Sequence, residues 1–372
     1  MKKITIITMQ LKKFGGIERF VATLSNMLTD DYKVEIISNY GVDGETTAFG
    51  IDPRVKIKYL TPILPKEISL KNILKNFQLY RLPGEFIRRF NIKRDQRIAF
   101  KKALSELETD FIITERSTYN FWVQKYYHGD AKLIATDHNF HQYQKDYINS
   151  LVSSLKSFDY LVVATDELQK FYSDKIGNTK CVKIINPLDE IPTEKSTLKA
   201  KNILASGRFY PEKDFLTLID VMKKVSKLDP SIKLYLLGNG PQEKQIKDKI
   251  KQYQLNNVEM PGFVDQEEMK KYYYNSSLFV MTSITEAFGL VITEAMSYGL
   301  PVIAFDRASG ARSQIDKDTG ILIENANIDK MAKKIVELVN NKKQLMIYQK
   351  NINQKIQTYS SEAALVEWKK IL

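Results

Sequence analysis

Two successive series of β-rich segments, each alternating with helical stretches, constrain what this 372-residue chain can fold into. The first series opens with the β-branched run 3–9, a loop with two glycines and a stretch of helical periodicity, and its last strand is predicted at 183–187. The pattern restarts after the polar linker segment 190–201. Strands alternating with helices form parallel doubly wound sheets. The sequence therefore predicts an α/β protein with two Rossmann-like domains, 1–190 and 191–355, facing a central cleft.

The bulk composition describes an ordinary folded protein. Hydrophobic residues make up 43% and charged residues 27% of the chain. No apolar run approaches the ~18 residues of a membrane-spanning helix, and the N-terminal MKKITIITM predicts a first strand instead of a signal peptide. Cys181 is the only cysteine, which excludes an internal disulfide and a zinc site of clustered thiolates. We expect a cytoplasmic protein.

The run 282–306 contains two glutamates around a predicted anion site. A predicted strand leads into a loop with Glu286, a turn at Gly289 and a helix that contains Glu294 in its early turns. Glycine lets a ligand approach bare backbone, and a helix N-terminus offers unpaired N–H groups and the positive end of its dipole. Each glutamate taken alone is typical of solvated surface. Together they suit a nucleotide-sugar, which has hydroxyls on both sides of its diphosphate.

This run resembles the E-x7-E signature of the retaining glycosyltransferases of family four, which have the GT-B fold. The resemblance implies transfer of a hexose from a nucleotide-sugar, expected to be a UDP-sugar, to a lipid-linked or polysaccharide acceptor at the cytoplasmic membrane face, in bacterial surface glycan synthesis. It also implies that a C-terminal helix, about 356–372, packs back on the first domain. Glu286 would contact the sugar and Glu294 the ribose. In this run the resemblance implies that Glu286 is catalytic. The implied donor-binding residues are Phe288, Gly289, Leu290, Val291 and Glu294.

Arg208 and Lys213 follow the first strand of the second series, where ligands of open α/β sheets bind. Taken in isolation, two such cations are typical of a solvated surface. They match the arginine and lysine that neutralise the donor diphosphate in the resembled family, so we expect no metal cofactor. The triplet Asp316-Lys317-Asp318 spells D-x-D, but its place in a loop before a strand favours a turn over a metal site.

Further glycine turns follow other strands. Gly15-Gly16, at the first strand-to-helix turn, lack the G-x-G-x-x-G pattern of nicotinamide sites and resemble the family's GG-x-E loop facing donor and acceptor. Gly238-Asn239 resemble the family's G-x-G-P turn beside the nucleotide, and a plain β-to-α turn is equally consistent.

Two apolar residues and two histidines complete the predicted site. Phe263 and Val264 are base-pocket candidates by resemblance, with core packing as the alternative. His138 follows a strand and resembles the family histidine that contacts the donor sugar, although a lone histidine is more often structural. Asn139 stands where the family often has an acidic residue. His141 is a weaker acceptor-side candidate.

The net charge of +12 is concentrated in one stretch. Residues 54–102 contain fourteen Lys and Arg against three acidic residues, a net charge of +11. Two segments of this stretch, 68–82 and 84–104, mix apolar and basic residues and are predicted to form amphipathic helices. Such helices bind anionic membrane surfaces, where each cation contributes about 1 kcal/mol. A solvated face is the alternative. No RNA-binding motif or helix-turn-helix accompanies the charge, so we expect no nucleic-acid partner.

Two other functions share these features. A nucleotide-sugar 2-epimerase has the same predicted two-domain fold, but it acts without an acceptor and does not need a basic membrane-facing surface. A non-catalytic basic protein that binds membrane or nucleic acid would retain binding without turnover. The motifs favour the glycosyltransferase, because both alternatives leave part of the pattern unexplained.

Overall fold

The computed structural model describes residues 1–62, 82–139 and 144–372, which form two compact units. The N-unit comprises Met1–Val163, Phe171–Lys183 and Leu365–Leu372. The C-unit comprises Ala164–Lys170 and Ile184–Ala364. The sequence placed the whole of 356–372 with the first domain, whereas contacts assign only the last eight of these residues to the N-unit. His141 and most of the basic segment 68–82 lie outside the described residues.

Among the described residues, the N-unit contains a seven-stranded parallel sheet. Its strands are β1 Lys3–Thr8, β2 Lys33–Tyr40, β3 Lys56–Thr61, β4 Phe111–Thr114, β5 Lys132–Asp137, β6 Tyr160–Val163 and β7 Lys180–Lys183. Their order across the sheet is β3-β2-β1-β4-β5-β6-β7, so the direction of winding reverses between β1 and β4. The strands are rich in β-branched residues and largely buried, as expected for a parallel sheet with helices on both faces.

The predicted last strand of the first half, 183–187, is wrong in position. The strand ends at Lys183, because Lys180 to Lys183 pair in register with Tyr160 to Val163 of β6. The next two isoleucines, Ile184 and Ile185, belong to the C-unit; Ile184 is buried, and Ile185 packs against the core.

The helices of the N-unit follow its strands. They are α1 Gly16–Leu28, α2 Leu82–Ser105, α3 Ser117–Tyr126 and α4 Lys145–Ser153, while α5 Asp166–Ser173 contributes residues to both units. The C-terminal Trp368 is fully buried and its ring centroid lies 6.5 Å from that of Phe20 in α1. Lys369 pairs with Asp31 at 2.6 Å. None of the helices within the described ranges is long and apolar enough to cross a membrane.

Within the described residues, the C-unit contains a six-stranded parallel sheet with a single large core. Its strands are β8 Asn202–Ser206, β9 Lys233–Leu237, β10 Val258–Gly262, β11 Leu278–Met281, β12 Val302–Phe305 and β13 Gly320–Ile323. The order β10-β9-β8-β11-β12-β13 reverses the winding between β8 and β11. Its helices are α6 Phe215–Leu228, α7 Glu243–Gln252, α8 Gln266–Tyr274, α9 Leu290–Ser297, α10 Ser309–Gln314, α11 Ile328–Val339, α12 Lys342–Lys355 and α13 Ser361–Lys369, whose last residues belong to the N-unit.

Candidate active site

The predicted donor residues of the C-unit cluster where its winding reverses. Arg208 and Lys213 follow β8, and the loop 282–289 follows the neighbouring strand β11. The carboxyl ends of two parallel strands with diverging connections form a crevice, which is the usual ligand site of a doubly wound sheet. The strand order therefore brings together two segments that are about 70 residues apart in the sequence.

A partly buried ion pair joins these two segments. The Nζ of Lys213 donates to Oε1 of Glu286, and the two side chains are only 16% and 13% exposed. Ser283 Oγ donates to the same carboxylate oxygen at 3.1 Å. Thr282 Oγ1 donates to the carbonyls of Lys213 and Asp214 at 3.2 and 3.0 Å. The cation predicted for the diphosphate and the carboxylate predicted for the sugar therefore lie side by side.

Arg208 lies at the edge of this cluster. Its side chain is 63% exposed, and its Nη2 is 3.7 Å from Oε1 of Glu212. The guanidinium carbon lies 5.0 Å from the ring centroid of Tyr210. An exposed arginine with one long ion pair keeps most of its donors accessible to solvent or a ligand.

Helix α9 begins at the predicted anion site. Gly289 precedes it with φ +82°, a left-handed conformation that glycine adopts readily, and caps the helix without a side-chain hydrogen bond. The helix runs over Leu290–Ser297, so Glu294 lies within it, as the sequence predicted. Glu294 is fixed within the helix, because its Oε2 accepts from the hydroxyl of Tyr273 at 3.2 Å. The ring of Tyr273 in turn stacks on Tyr298 at 4.6 Å.

The apolar candidates of the C-unit separate into exposed and buried side chains. Phe288 and Val264 are buried in the core, so their side chains pack against protein. Leu290 and Val291 are partly buried against the same core. Phe263 is 52% exposed, immediately after Gly262. Among the two base-pocket candidates, core packing thus accounts for Val264, while Phe263 retains an accessible ring.

The turn at Gly238-Asn239 has a packing role. A side chain at Gly238, where φ is +132°, would collide with the carbonyl of Gly207. The amide of Phe209 donates to the carbonyl of Asn239 at 2.7 Å. The turn therefore supports the loop that starts after β8 and leads to Arg208.

In the N-unit, Gly15 and Gly16 lie where β1 leads into α1. The carboxylate of Glu18 folds back over Gly15, where a Cβ would collide with it. Gln10 Nε2 donates to Glu18 Oε1 at 3.4 Å. Burial raises the pKa of Glu18, against the opposing effects of these hydrogen bonds and the charge of Arg116. Gly15 thus makes room for a partly buried carboxylate.

His138 follows β5 and is partly buried. Its Nε2 lies 3.0 Å from Oγ1 of Thr136, and its ring centroid is 4.2 Å from that of Phe20. Burial lowers its pKa to about 4, despite the opposing charge of Asp137. The amide of Asn139 donates to Oδ1 of Asp137 at 3.2 Å. His138 is therefore neutral at pH 7.

Glu115 is a buried carboxylate that sequence reasoning missed. It directly follows β4, at the point where the winding of the N-unit sheet reverses. Its Oε1 accepts from the amide of Met9 at 2.8 Å and from Thr8 Oγ1 at 3.2 Å. Its Oε2 is buried, and no hydrogen-bond partner for it occurs within the described residues. Burial raises its pKa. The sequence signal that could have pointed to Glu115 is its position shortly after the apolar run 111–113, at the end of a predicted strand.

The D-x-D triplet forms a turn, as expected. Asp316 Oδ1 accepts from Thr319 Oγ1 at 2.9 Å and from the amide of Asp318 at 3.0 Å, while Oδ2 pairs with Lys355 at 2.5 Å. Although burial acts to raise it, the pKa of Asp316 is lowered by the hydrogen bonds from Lys355 and Thr319. In the part of the chain that the structure describes, no three histidine, cysteine or acidic side chains are grouped to hold a metal ion.

Comparison with known proteins finds a family model that matches much of the C-terminal half. Residues 189–355 match the model of the glycosyl transferases group 1. The chain is 26% identical to an uncharacterised glycosyltransferase of Haemophilus influenzae and 25% identical to the amylovoran biosynthesis glycosyltransferase AmsD of Erwinia amylovora, and each match covers all of both chains. It is 27% identical to the N-acetylgalactosamine-N,N'-diacetylbacillosaminyl-diphospho-undecaprenol 4-alpha-N-acetylgalactosaminyltransferase of Campylobacter jejuni, over 89% of this chain and 88% of the relative.

A solved structure has the same fold. A mutant of TarM from S. aureus, crystallised with Fondaparinux, alpha-GlcNAc-glycerol and UDP, is 19% identical with a TM-score of 0.79, and the match covers 100% of this chain and 99% of TarM. At this identity the likeness shows the fold, which is GT-B, as the sequence predicted. The chain is therefore a glycosyltransferase, and its residues 189–355 match the family model of the glycosyl transferases group 1.

Proposed function

We propose that this protein is a retaining glycosyltransferase that moves a hexose from a UDP-sugar to a lipid-linked or polysaccharide acceptor in bacterial surface glycan synthesis. The observation that carries the proposal is the Lys213–Glu286 pair beside the N-terminus of α9. The relatives support it through their names, which include amylovoran biosynthesis and a diphospho-undecaprenol acceptor. The TarM crystals contain UDP.

The C-unit residues suit a departing nucleoside diphosphate. As the bond from the anomeric carbon to the phosphate oxygen breaks, negative charge grows on the diphosphate. Lys213, Arg208 and the first amides of α9 supply fixed positive charge for it, which is the most effective form of transition-state stabilisation. Glu286 would then accept hydrogen bonds from the sugar hydroxyls. Glu294, held by Tyr273, would accept them from the ribose.

Retention follows if the acceptor attacks from the side that the diphosphate leaves. The acceptor hydroxyl forms the new bond to the anomeric carbon, and its proton passes to the leaving phosphate oxygen. The balance requires no protein nucleophile and no metal. His138 would hydrogen-bond the sugar in its neutral form, because its pKa is lowered to about 4 by burial. A neutral imidazole donates or accepts a hydrogen bond without adding charge.

We also propose that the protein docks on an anionic membrane surface through α2. Phe86, Ile87, Phe90 and Ile98 are each more than half exposed. Helical spacing places them on one face together with four exposed cations. These cations are Lys93, Arg94, Arg97 and Lys101. Apolar and basic residues therefore share the solvent-exposed face of this helix. The sequence instead predicted an amphipathic helix, with apolar and basic residues on opposite faces. Exposed apolar side chains among cations suit an anionic lipid surface.

Charge reversal tests this docking surface. Arg88 and Arg89 are poor targets, because both pair with the buried Glu85 at 2.8 and 2.7 Å. Changing Lys93, Arg94, Arg97 and Lys101 to Glu should abolish binding to vesicles containing anionic phosphatidylglycerol. The matched control, with the same charge change, reverses four exposed lysines of the C-unit: Lys244, Lys251, Lys342 and Lys343. Equal loss in both variants would make the binding a property of net charge alone.

Donor screening and product analysis test the activity. A donor that binds only the folded protein raises its melting temperature, so a thermal-shift screen of nucleotide-sugars should single out UDP-sugars. NMR of the product formed with a lipid-linked acceptor should show the same anomeric configuration as the donor. Inversion would refute the retaining mechanism. Conversion of the donor to its 2-epimer without an acceptor would make the protein an epimerase.

A further inference from the structure

The segment 307–314, which no sequence motif singled out, holds the loop 282–289 from one side. Three of its groups donate hydrogen bonds to backbone carbonyls of that loop. The pairs are Arg307 Nη2 to Thr282 at 2.6 Å, the Gly310 amide to Glu286 at 3.0 Å, and Gln314 Nε2 to Phe288. A side chain at Gly310 would collide with the Phe288 carbonyl, so the two segments are in close contact.

Arg307 also reaches the segment that carries Lys213. Its Nη2 pairs with Oδ2 of Asp214 at 2.8 Å. Asp214 has φ +51°, a left-handed conformation that costs energy for a residue other than glycine. Its Oδ1 accepts from Thr217 Oγ1 at 2.7 Å. The strained residue directly after Lys213 is therefore held from two sides, by Arg307 and by Thr217.

We infer that Arg307 is a positioning residue that sets Lys213 against Glu286, through Asp214 on one segment and Thr282 on the other. The inference rests on the proposed role of Lys213 in the donor site. Arg307 acts through these neighbours, because its guanidinium packs 4.8 Å over the ring of Phe305 and its Nε is buried. Both acceptors are bound by Nη2, whose two N–H groups lie in the plane of the guanidinium and so have fixed directions. The three N–H groups of a lysine ammonium rotate freely and would fix the two acceptors less firmly.

Chemical labelling tests the positioning without any ligand. Lys213 should react slowly with an acylating reagent, because its ammonium is 16% exposed at the side chain and paired with Glu286. Mass spectrometry should show several-fold faster acylation of Lys213 in Arg307→Gln, and a partial increase in Arg307→Lys. The matched control is Arg312→Gln. Arg312 lies in the same segment and pairs with Glu167 and Asp306 at 2.9 and 3.2 Å.

Unchanged labelling of Lys213 in Arg307→Gln would overturn the inference, as would an equal increase in Arg312→Gln. If Arg307→Gln does not fold, Asp214→Asn removes the same ion pair and keeps the side-chain volume. The same increase in labelling is then expected, and its absence overturns the inference equally.

A double-mutant cycle with UDP links the positioning to binding. Lys213→Ala should weaken UDP binding by about tenfold, as expected for losing a charge-assisted hydrogen bond. Arg307→Gln should weaken it less. The double variant should bind no more weakly than Lys213→Ala, because a residue that acts through Lys213 has no effect once Lys213 is gone. If the two substitutions weaken UDP binding by independent factors that multiply in the double variant, the positioning role is refuted and the proposed function still stands. Wild-type affinity in Lys213→Ala would refute the proposed donor site, while the labelling result would still decide the role of Arg307.

Discussion

The two sheets of this glycosyltransferase present different chemistry at the points where their winding reverses. In the C-unit, the reversal between β8 and β11 places the ammonium of Lys213 in hydrogen-bond contact with the carboxylate of Glu286, and Arg208 follows the same strand as Lys213. In the N-unit, the reversal between β1 and β4 brings together Glu18 and Glu115, whose pKa values are raised by burial. One point offers fixed positive charge, which suits a diphosphate. The other offers the carboxyl groups of Glu18 and Glu115, which suit hydrogen bonds with a hydroxylated ligand. Similar sheet topology thus supports different ligands, because the residues that follow the strands differ.

The largest effect is expected when positive charge is removed at the place where the winding of the C-unit sheet reverses. This removal tests whether that place binds the diphosphate. Lys213→Ala should lower kcat by about 10² or more, by analogy with the loss of one preorganised donor to a developing anion. Arg208→Ala should lower it by a similar factor. Initial rates with the UDP-sugar from the donor screen measure both. Lys224→Ala is the control, since this lysine pairs with Asp329 at 2.7 Å elsewhere in the C-unit.

Chelation tests the same charge in another way. If Lys213 and Arg208 neutralise the diphosphate, activity should survive excess EDTA. Loss of activity that added Mg²⁺ or Mn²⁺ restores would contradict this prediction. Wild-type rates in Lys213→Ala and in Arg208→Ala would show that other residues supply the positive charge of this site.

Substitutions of Glu286 and Glu294 in the C-unit should give smaller effects, which differ between the two residues. Glu286→Gln should mainly reduce turnover and relax sugar choice, because this carboxylate is paired with Lys213. Glu294→Gln should mainly weaken binding of free UDP, by about tenfold or less, because one hydrogen bond to a charged acceptor is lost. Calorimetry with UDP and kinetics with several UDP-sugars separate the two effects. Weaker UDP binding in Glu286→Gln than in Glu294→Gln would reverse the assignments.

The sequence predicted the C-unit more completely than the N-unit, for a physical reason. The loop 282–289 and α9 are contiguous, so strand, turn and helix signals place Glu286 and Glu294 relative to each other. Arg208 and Lys213 could be placed at the same end of the sheet because they follow a recognisable strand. The Arg307 contacts could not be found, because they depend on the three-dimensional path of a loop that the local pattern does not specify.

In the N-unit, burial determines the chemistry, and one sequence does not show burial directly. Glu115 follows a short apolar strand and looks like any solvated glutamate at a strand end. Only the pairing of β4 with β1 brings it under the amide of Met9. Likewise, the sequence placed His138 after its strand but did not indicate the lowered pKa. The mixture of exposed apolar and basic residues on α2 also required knowledge of which helix face packs inward.

The N-unit groups should give the smallest effects, seen as opposite pH dependences of stability. His138 has a native pKa of about 4, below the ordinary value of 6.5. The unfolded chain therefore binds more protons between these values, and the free energy of unfolding rises with pH across this window. From pH 4 to pH 7, the free energy of unfolding of wild type should rise by about 1–2 kcal/mol relative to that of His138→Asn. One pKa unit corresponds to about 1.4 kcal/mol, and the full shift is not expected because the ring is partly accessible. Urea unfolding at several pH values measures this, and parallel curves would contradict it.

Glu115 should show the reverse slope, which makes it the internal control for His138. Its native pKa is raised above the ordinary value of 4.5 by burial, so above that pH the folded protein holds a proton that the unfolded chain releases. Rising pH therefore lowers the free energy of unfolding, until the carboxyl group ionises in the folded state as well. Glu115→Gln keeps an oxygen acceptor for Met9 and Thr8 and removes the titration. Wild type should thus lose stability relative to this variant as the pH rises above 4.5, whereas it gains stability relative to His138→Asn as the pH rises toward 6.5. If both variants shifted the pH profile in the same direction, burial would not be the dominant cause of both pKa shifts, and the contrast drawn between the two reversal points would fail on the N-unit side.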